Sequence, residues 1–136
     1  MINIDLIDKN YRLEVEMIMH QRLGPDWAWD QHKSTWNRGP ALLFWLVTGG
    51  KADLWVDSRR FEARRGRLFV MPAEGHSYRG RHNPDNPFEV SWMFIKAIGK
   101  EGRSLPLYGI DGIPFQTSLV DVEFCSKLMY QILNTT

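Results

Sequence analysis

The residues best suited to ligand binding lie in one short, turn-rich segment, residues 24–40. Three of the chain's six tryptophans alternate there with polar and charged side chains. The residues of interest are Trp27, Trp29, Asp30, His32, Trp36 and Arg38. An indole ring offers a flat apolar face and one N–H donor, whereas His, Asp and Arg provide directional hydrogen bonds. The segment is therefore predicted to bind a polar ring; the alternative is a lid that only packs on the core.

A second set of candidate residues lies further along the chain. His76 and Tyr78 are two positions apart, which places them on one face of a strand, and Trp92 and Phe94 share a face in the same way. If these faces point inward, a sugar or another polar ring could stack on Trp92. The hydroxyl groups of the sugar would then form hydrogen bonds with His76 and Tyr78. The alternative is that Trp92 and Phe94 are simply core residues.

No recognisable catalytic or metal-binding motif accompanies these residues. His20, His32, His76 and His82 are far apart and show no metal-ligand spacing. The sequence has no Gly-x-Ser-x-Gly, no glycine-rich phosphate loop and no Cys/His pair at catalytic spacing. Cys125 is interpreted as a small, partly buried hydrophobic residue. We therefore predict a protein that is not an enzyme and has no catalytic residue, no metal and no cofactor.

The composition is that of one soluble domain. The 136 residues carry a net charge of +1, which gives no overall attraction to nucleic acid or membrane. No apolar run could span a bilayer and the N-terminus resembles no secretory signal, so a cytoplasmic location is predicted. A group of arginines is interpreted as a solvated face rather than a nucleic-acid site: Arg59, Arg60, Arg64, Arg65, Arg67, Arg79 and Arg81.

The elements that would position the candidate residues are mainly short strands separated by turns. The predicted strands are residues 11–20, 41–47, 52–56, 61–63, 68–71 and 88–98. The unbroken apolar run at 41–47 is typical of a strand covered on both faces. This pattern predicts an antiparallel sandwich or closed barrel, and the lack of strand–helix alternation disfavours a parallel α/β sheet.

The C-terminal residues have a different period. From about Ser118, apolar residues recur every three or four positions as far as Leu133, with acidic residues near the start. This spacing predicts one amphipathic helix. Its apolar face could fold back on the strands or pair with a second subunit, and the sequence leaves both open.

The ordered series of strands and turns resembles the N-terminal effector-binding domain of AraC-type transcription regulators. The matching segments are LFWLVTGG at 43–50, VD at 56–57, GRLFVMP at 66–72, HSY at 76–78 and WMF at 92–94. The match covers about residues 42–94. The sequence departs from the family pattern at Ser58, in place of a turn glycine, at Arg67, in place of Asp, and in a shortened turn at 73–75.

The resemblance implies a cupin-like barrel that binds a small effector, often a sugar, beside a helical dimerisation element. A helix-turn-helix DNA-binding domain would follow in such a regulator and is not present in these residues. Cupin enzymes take metal ligands from the strand before the glycine turn, but residues 40–48 contain no His, Glu, Asp or Cys. Only His76 matches a cupin metal ligand.

We therefore predict a mainly β protein, a cupin-like antiparallel β-barrel (double-stranded β-helix) with a C-terminal amphipathic helix. Residues 1–98 would form the barrel, 99–116 a connector and 117–136 the helix, through which a homodimer could form. The expected function is to sense a small polar effector, with a sugar-like metabolite favoured, and to relay its binding to a DNA-binding domain. The predicted ligand-binding residues are Trp27, Trp29, His32, Arg38, His76, Tyr78 and Trp92. The alternatives are a metal-dependent cupin enzyme and a stand-alone carbohydrate-binding module.

Overall fold

The computed structural model describes residues 2–5, 11–24, 26–32, 41–73, 75–82, 85–99, 104–105 and 115–134. These residues form antiparallel strands and one helix. The strands are β1 (Ile2–Asp5), β2 (Tyr11–Arg22), β3 (Ala28–Gln31), β4 (Leu42–Gly49), β5 (Lys51–Val56), β6 (Arg59–Arg64), β7 (Arg67–Pro72), β8 (Tyr78–His82), β9 (Glu89–Gly99), β10 (Ser104–Leu105) and β11 (Gln116–Leu119). The helix α1 spans Val122–Leu133.

The first sheet has the strand order β1-β2-β9-β4-β7-β11, with β10 added beside β9. Strand β4 lies near its centre and is covered on both faces, as its apolar run predicts. Leu43 and Trp45 belong to the core between the sheets. Phe44 and Leu46 alternate with them and face the helix, because both belong to the cluster that includes Met129 of α1.

The second sheet has the order β3-β8-β5-β6 and packs against the first. In β5, Ala52, Leu54 and Val56 are buried, whereas Asp53 and Trp55 between them are partly exposed. The core between the two sheets contains Leu54 and Val56 from this sheet. The fold is a cupin-like antiparallel β-sandwich with a C-terminal helix, which confirms the predicted fold class.

The helix begins later than its apolar pattern predicts. Residues 117–119 belong to β11, which pairs with the edge strand β7 from Gln116 to Leu119. Asp121 is the N-cap: its Oδ1 accepts a hydrogen bond from the backbone N–H of Phe124 at 3.0 Å. The free edge of β7 supplies hydrogen bonds to residues 116–119, so they extend the sheet instead of the helix. The predicted connector, 99–116, also contains the short strand β10.

The apolar face of α1 lies on the outer face of the first sheet. Met129 is 7% exposed and belongs to one cluster with Val15, Leu46 and Met93. The helix therefore folds back on the strands, which is the first of the two options that the sequence leaves open. A homodimer stays a prediction. Within the described ranges, no helix has the length and apolar character needed to cross a membrane.

Candidate functional site

A cavity of about 260 Å³ lies between the two sheets, where the edge strand β3 faces β2, β4 and β9. Its walls are aromatic and aliphatic side chains with two amides. The lining residues are Gln21, Leu23, Trp27, Trp29, Gln31, Leu43, Trp45, Val90, Trp92 and Phe94. We call this space the tryptophan cavity.

Trp27 and Trp29 are held in place by other aromatic rings. The ring centroids of Trp29 and Trp45 are 4.8 Å apart, and those of Trp27 and Trp45 are 6.1 Å apart. Trp29 also stacks nearly parallel to Tyr78, with centroids 5.5 Å apart and an interplanar angle of 7°. Trp27 also contacts Phe88, at 5.4 Å between centroids. Such contacts hold the two indole rings in place, so that their flat faces are preformed parts of the cavity wall.

The backbone of β8 makes room for these tryptophans. Trp29 pairs with Gly80 in the sheet, and the ring of Trp27 lies above the same glycine. Strand β3 is tied to β8 by Arg81, whose guanidinium donates to Trp29 O at 3.2 Å and to Asp30 Oδ2 at 2.8 Å. A four-residue edge strand is thereby kept in register.

Trp92 and Phe94 share a face, as predicted, and that face points between the sheets. Their rings meet edge to face with centroids 5.9 Å apart. Both line the tryptophan cavity, and Phe94 is also part of the buried core at 6% exposure. The indole Nε1–H of Trp92 donates to Gln21 Oε1 at 3.0 Å. Pocket and core are therefore not alternatives here, because these residues belong to both.

A second recess of about 540 Å³, formed mostly by polar and charged residues, lies at one end of the second sheet. It is lined by Asp30, Gln31, His32, Trp55, Asp57, Ser58, Ser77, Tyr78 and Arg79. Gln31 lines both spaces. We call this recess the polar groove.

His76 and Tyr78 do not share a strand, contrary to the prediction, because β8 begins at Tyr78. His76 lies in the preceding loop, where its Nδ1 is 2.9 Å from Asp57 Oδ2. A carboxylate only accepts hydrogen bonds, so Nδ1–H is the donor in this contact. Tyr78 is 2% exposed and its hydroxyl donates to Pro72 O at 2.6 Å. Its ring stacks on that of Trp29.

The predicted ligand-binding residues are thus divided between two places. Trp27, Trp29 and Trp92 surround the tryptophan cavity, and His32 and Tyr78 line the polar groove. His76 lines neither space but is bonded to Asp57 of the groove. Arg38 and the neighbouring Trp36 lie outside the described residues.

Sequence reasoning missed the polar groups of the tryptophan cavity, Gln21 and Gln31, and its back wall, Trp45. Trp45 lies in a run with no polar alternation to indicate its inward direction. For metal binding, the described residues contain no group of three or more His, Cys, Asp or Glu side chains placed to hold an ion.

Comparison with known proteins gives structural matches only. No protein-family profile matches the chain, and no curated protein sequence does. YhaK from Escherichia coli is 17% identical, with a TM-score of 0.47 over 82% of this chain and 41% of its own length. The "Putative Glyoxylate Induced Protein" from Pseudomonas aeruginosa is 15% identical, with a TM-score of 0.48 over 81% and 41%. A "putative mannose-6-phosphate isomerase" from Ralstonia eutropha is 19% identical, with a TM-score of 0.34 over 69% and 81%.

The chain spans about two fifths of the length of the first two of these proteins. Identities of 15 to 19% transfer no activity, ligand or partner to this chain. The chain's own strand order and core define a cupin-like β-sandwich with a tryptophan-lined cavity.

Proposed function

We propose that this domain binds a small polar effector in the tryptophan cavity and acts as the sensor of a transcription regulator, without turning the effector over. The observation that carries the binding proposal is the convergence of Trp27, Trp29 and Trp92 from different elements on one space between the sheets. Exposed indole surface is costly in water, and ring faces that line a preformed cavity are typical of ligand sites.

The size of the cavity limits the effector. Pockets for drug-sized ligands measure roughly 300–1,000 Å³. At about 260 Å³, the tryptophan cavity suits one small ring rather than a chain of sugars or a nucleotide. A monosaccharide or a comparable metabolite fits this size, and the C–H face of such a ring stacks on indole.

Strand β4 offers a physical route from the effector to the helix. Trp45 faces the cavity, while its neighbour Leu46 packs with Met129 of α1 on the opposite side of the sheet. An effector changes the position of α1 only to the extent that it binds one arrangement more tightly than another. The resemblance to AraC-type regulators supports the further proposal that a DNA-binding domain receives this change.

Ligand screening by thermal shift, followed by tryptophan fluorescence titration, tests the binding proposal. A hit is expected to lose most of its affinity in Trp92→Ala and Trp29→Ala. The matched control is Trp55→Ala, since Trp55 lines the polar groove and stacks with Arg79 on the other side of the second sheet. Loss of affinity only in Trp55→Ala would place binding in the polar groove and contradict the proposal.

Two further results would contradict other parts of the proposed function. Turnover of a bound ligand in the presence of Fe, Mn, Ni or Zn would make the protein a metal-dependent enzyme. A gene whose continuation past Thr136 encodes no helix-turn-helix region would remove the regulatory role and leave a binding module.

A further inference from the structure

We infer that Gln21 makes the tryptophan cavity selective for uncharged ligands that present an oxygen acceptor, such as a hydroxyl, ether or carbonyl group. This inference rests on the proposed function, because it names the class of ligand that the same cavity accepts.

The orientation of the Gln21 amide is fixed by chemistry. Trp92 Nε1 is only a hydrogen-bond donor, so the atom that faces it at 3.0 Å must be the amide oxygen of Gln21. With Oε1 engaged by the indole, the two N–H groups on Nε2 are the donors that Gln21 can offer to a ligand. Gln21 lines the cavity, so a ligand that stacks on Trp92 meets an N–H donor beside the ring.

The charge of the cavity wall points to the same ligand class. Of the cavity-lining residues that the structure describes, the only ones with polar side chains apart from the indoles are Gln21 and Gln31, and none is ionised. A carboxylate, phosphate or ammonium group in such a space would lose part of its water without gaining a counter-charge, which is unfavourable. The nearby charged pair of Arg81 and Asp30 is exposed and its members bond to each other.

Trp92 therefore has two separable roles, since its ring face stacks on the ligand and its N–H orients Gln21. Trp92→Phe keeps an aromatic face but removes the N–H, which leaves the Gln21 amide able to rotate and present its oxygen. The variant is expected to retain binding while losing the preference for acceptor-bearing ligands over donor-bearing ones.

The test uses two sets of ligands with one ring each: glucose, glucosamine and glucuronate, and benzamide, benzylamine and benzoate. Tryptophan fluorescence gives the Kd of each. In the unmodified protein, the neutral member of at least one set is expected to bind about tenfold more tightly than its charged counterparts. Gln21→Glu replaces the donors with a carboxylate, and the preference is expected to move to glucosamine or benzylamine by about tenfold. Gln131→Glu, the same substitution on exposed helix surface, controls for net charge.

The outcomes separate the two proposals. Tightest binding of an anion or a cation by the unmodified protein, lost in Trp92→Ala, would overturn the selectivity assigned to Gln21 and leave the cavity as the ligand site. An unchanged preference in Gln21→Glu would overturn it as well. No response to any of the six compounds, or responses that persist in Trp29→Ala and Trp92→Ala, would count against the tryptophan cavity as a ligand site.

Discussion

The ring of Trp27 lies directly over Gly80, so closely that a Cβ atom at residue 80 would be 2.5 Å from Cη2 of the indole. The contact joins the segment before β3 to the middle of β8. Trp27 forms part of one wall of the tryptophan cavity. It can occupy this position only because residue 80 has no side chain.

Gly80→Ala is therefore expected to displace Trp27. Overpacking of this kind destabilises folded proteins by about 1–3 kcal/mol, and ligands of the cavity should bind more weakly. Urea unfolding and ligand titration measure the two effects. The control is Gly24→Ala, since a Cβ there has no atom within 4 Å. Equal losses in the two variants, or none in Gly80→Ala, would contradict the tight contact.

Much of the fold is predictable from local pattern because burial and period are tightly linked in strands. The apolar run of β4 predicts a strand covered on both faces, and the shared face of Trp92 and Phe94 follows from their spacing alone. The start of α1 is not predictable in this way. Leu119 suits the apolar period of a helix, yet it is 63% exposed at the end of β11. Pairing with β7, a non-local contact, decides its conformation.

One cavity residue missed by sequence reasoning, Gln21, has a specific structural cause in β2. Strict alternation places Val15 and Gln21 on one face, but the pairing with β9 shifts by one residue between Val15 and Met17. Val15 therefore packs towards α1, whereas Gln21 lines the cavity between the sheets. A β-bulge reverses the faces of all later residues, and the sequence shows only a weak break in the pattern at Ile18.

The N-cap gives a prediction that distinguishes the observed helix start from the one that the apolar period suggests. Asp121→Ala removes the acceptor for the Phe124 N–H and is expected to lower the free energy of unfolding by about 1 kcal/mol. Ser118→Ala is the comparison, because Ser118 would be a natural cap for a helix starting near residue 119 but lies in β11. Chemical denaturation measures both, and a larger loss from Ser118→Ala would favour the earlier start.

Packing of α1 on the first sheet gives a third prediction. Met129 is 7% exposed and its neighbour Leu128 is 43% exposed. Met129→Ala should therefore cost about 2–4 kcal/mol by leaving a cavity, and Leu128→Ala less than about 1 kcal/mol. The two losses are compared by urea unfolding at several protein concentrations. A larger loss from Leu128→Ala, growing on dilution, would indicate that a subunit contact holds the helix instead.

Asp57, in the turn between β5 and β6, forms hydrogen bonds with residues just before β8. Its backbone is in the left-handed region, with a φ of +55°. Its N–H donates to Ser77 O at 2.7 Å, and its carboxylate accepts from Ser77 N at 3.0 Å and from His76. Asp tolerates this backbone conformation because its short side chain bonds locally, whereas Ala does not.

Asp57→Ala removes both carboxylate bonds and leaves the strain, so we expect a loss of about 2 kcal/mol in the free energy of unfolding. Asp57→Asn tolerates the same φ and still accepts from Ser77, so its loss should be about 1 kcal/mol or less. Urea unfolding of the two variants gives the comparison. Both variants remove the carboxylate that accepts from His76, so the NMR chemical shifts of His76 should move in both. Stability equal to the unmodified protein in Asp57→Ala would mean that the turn does not depend on this carboxylate.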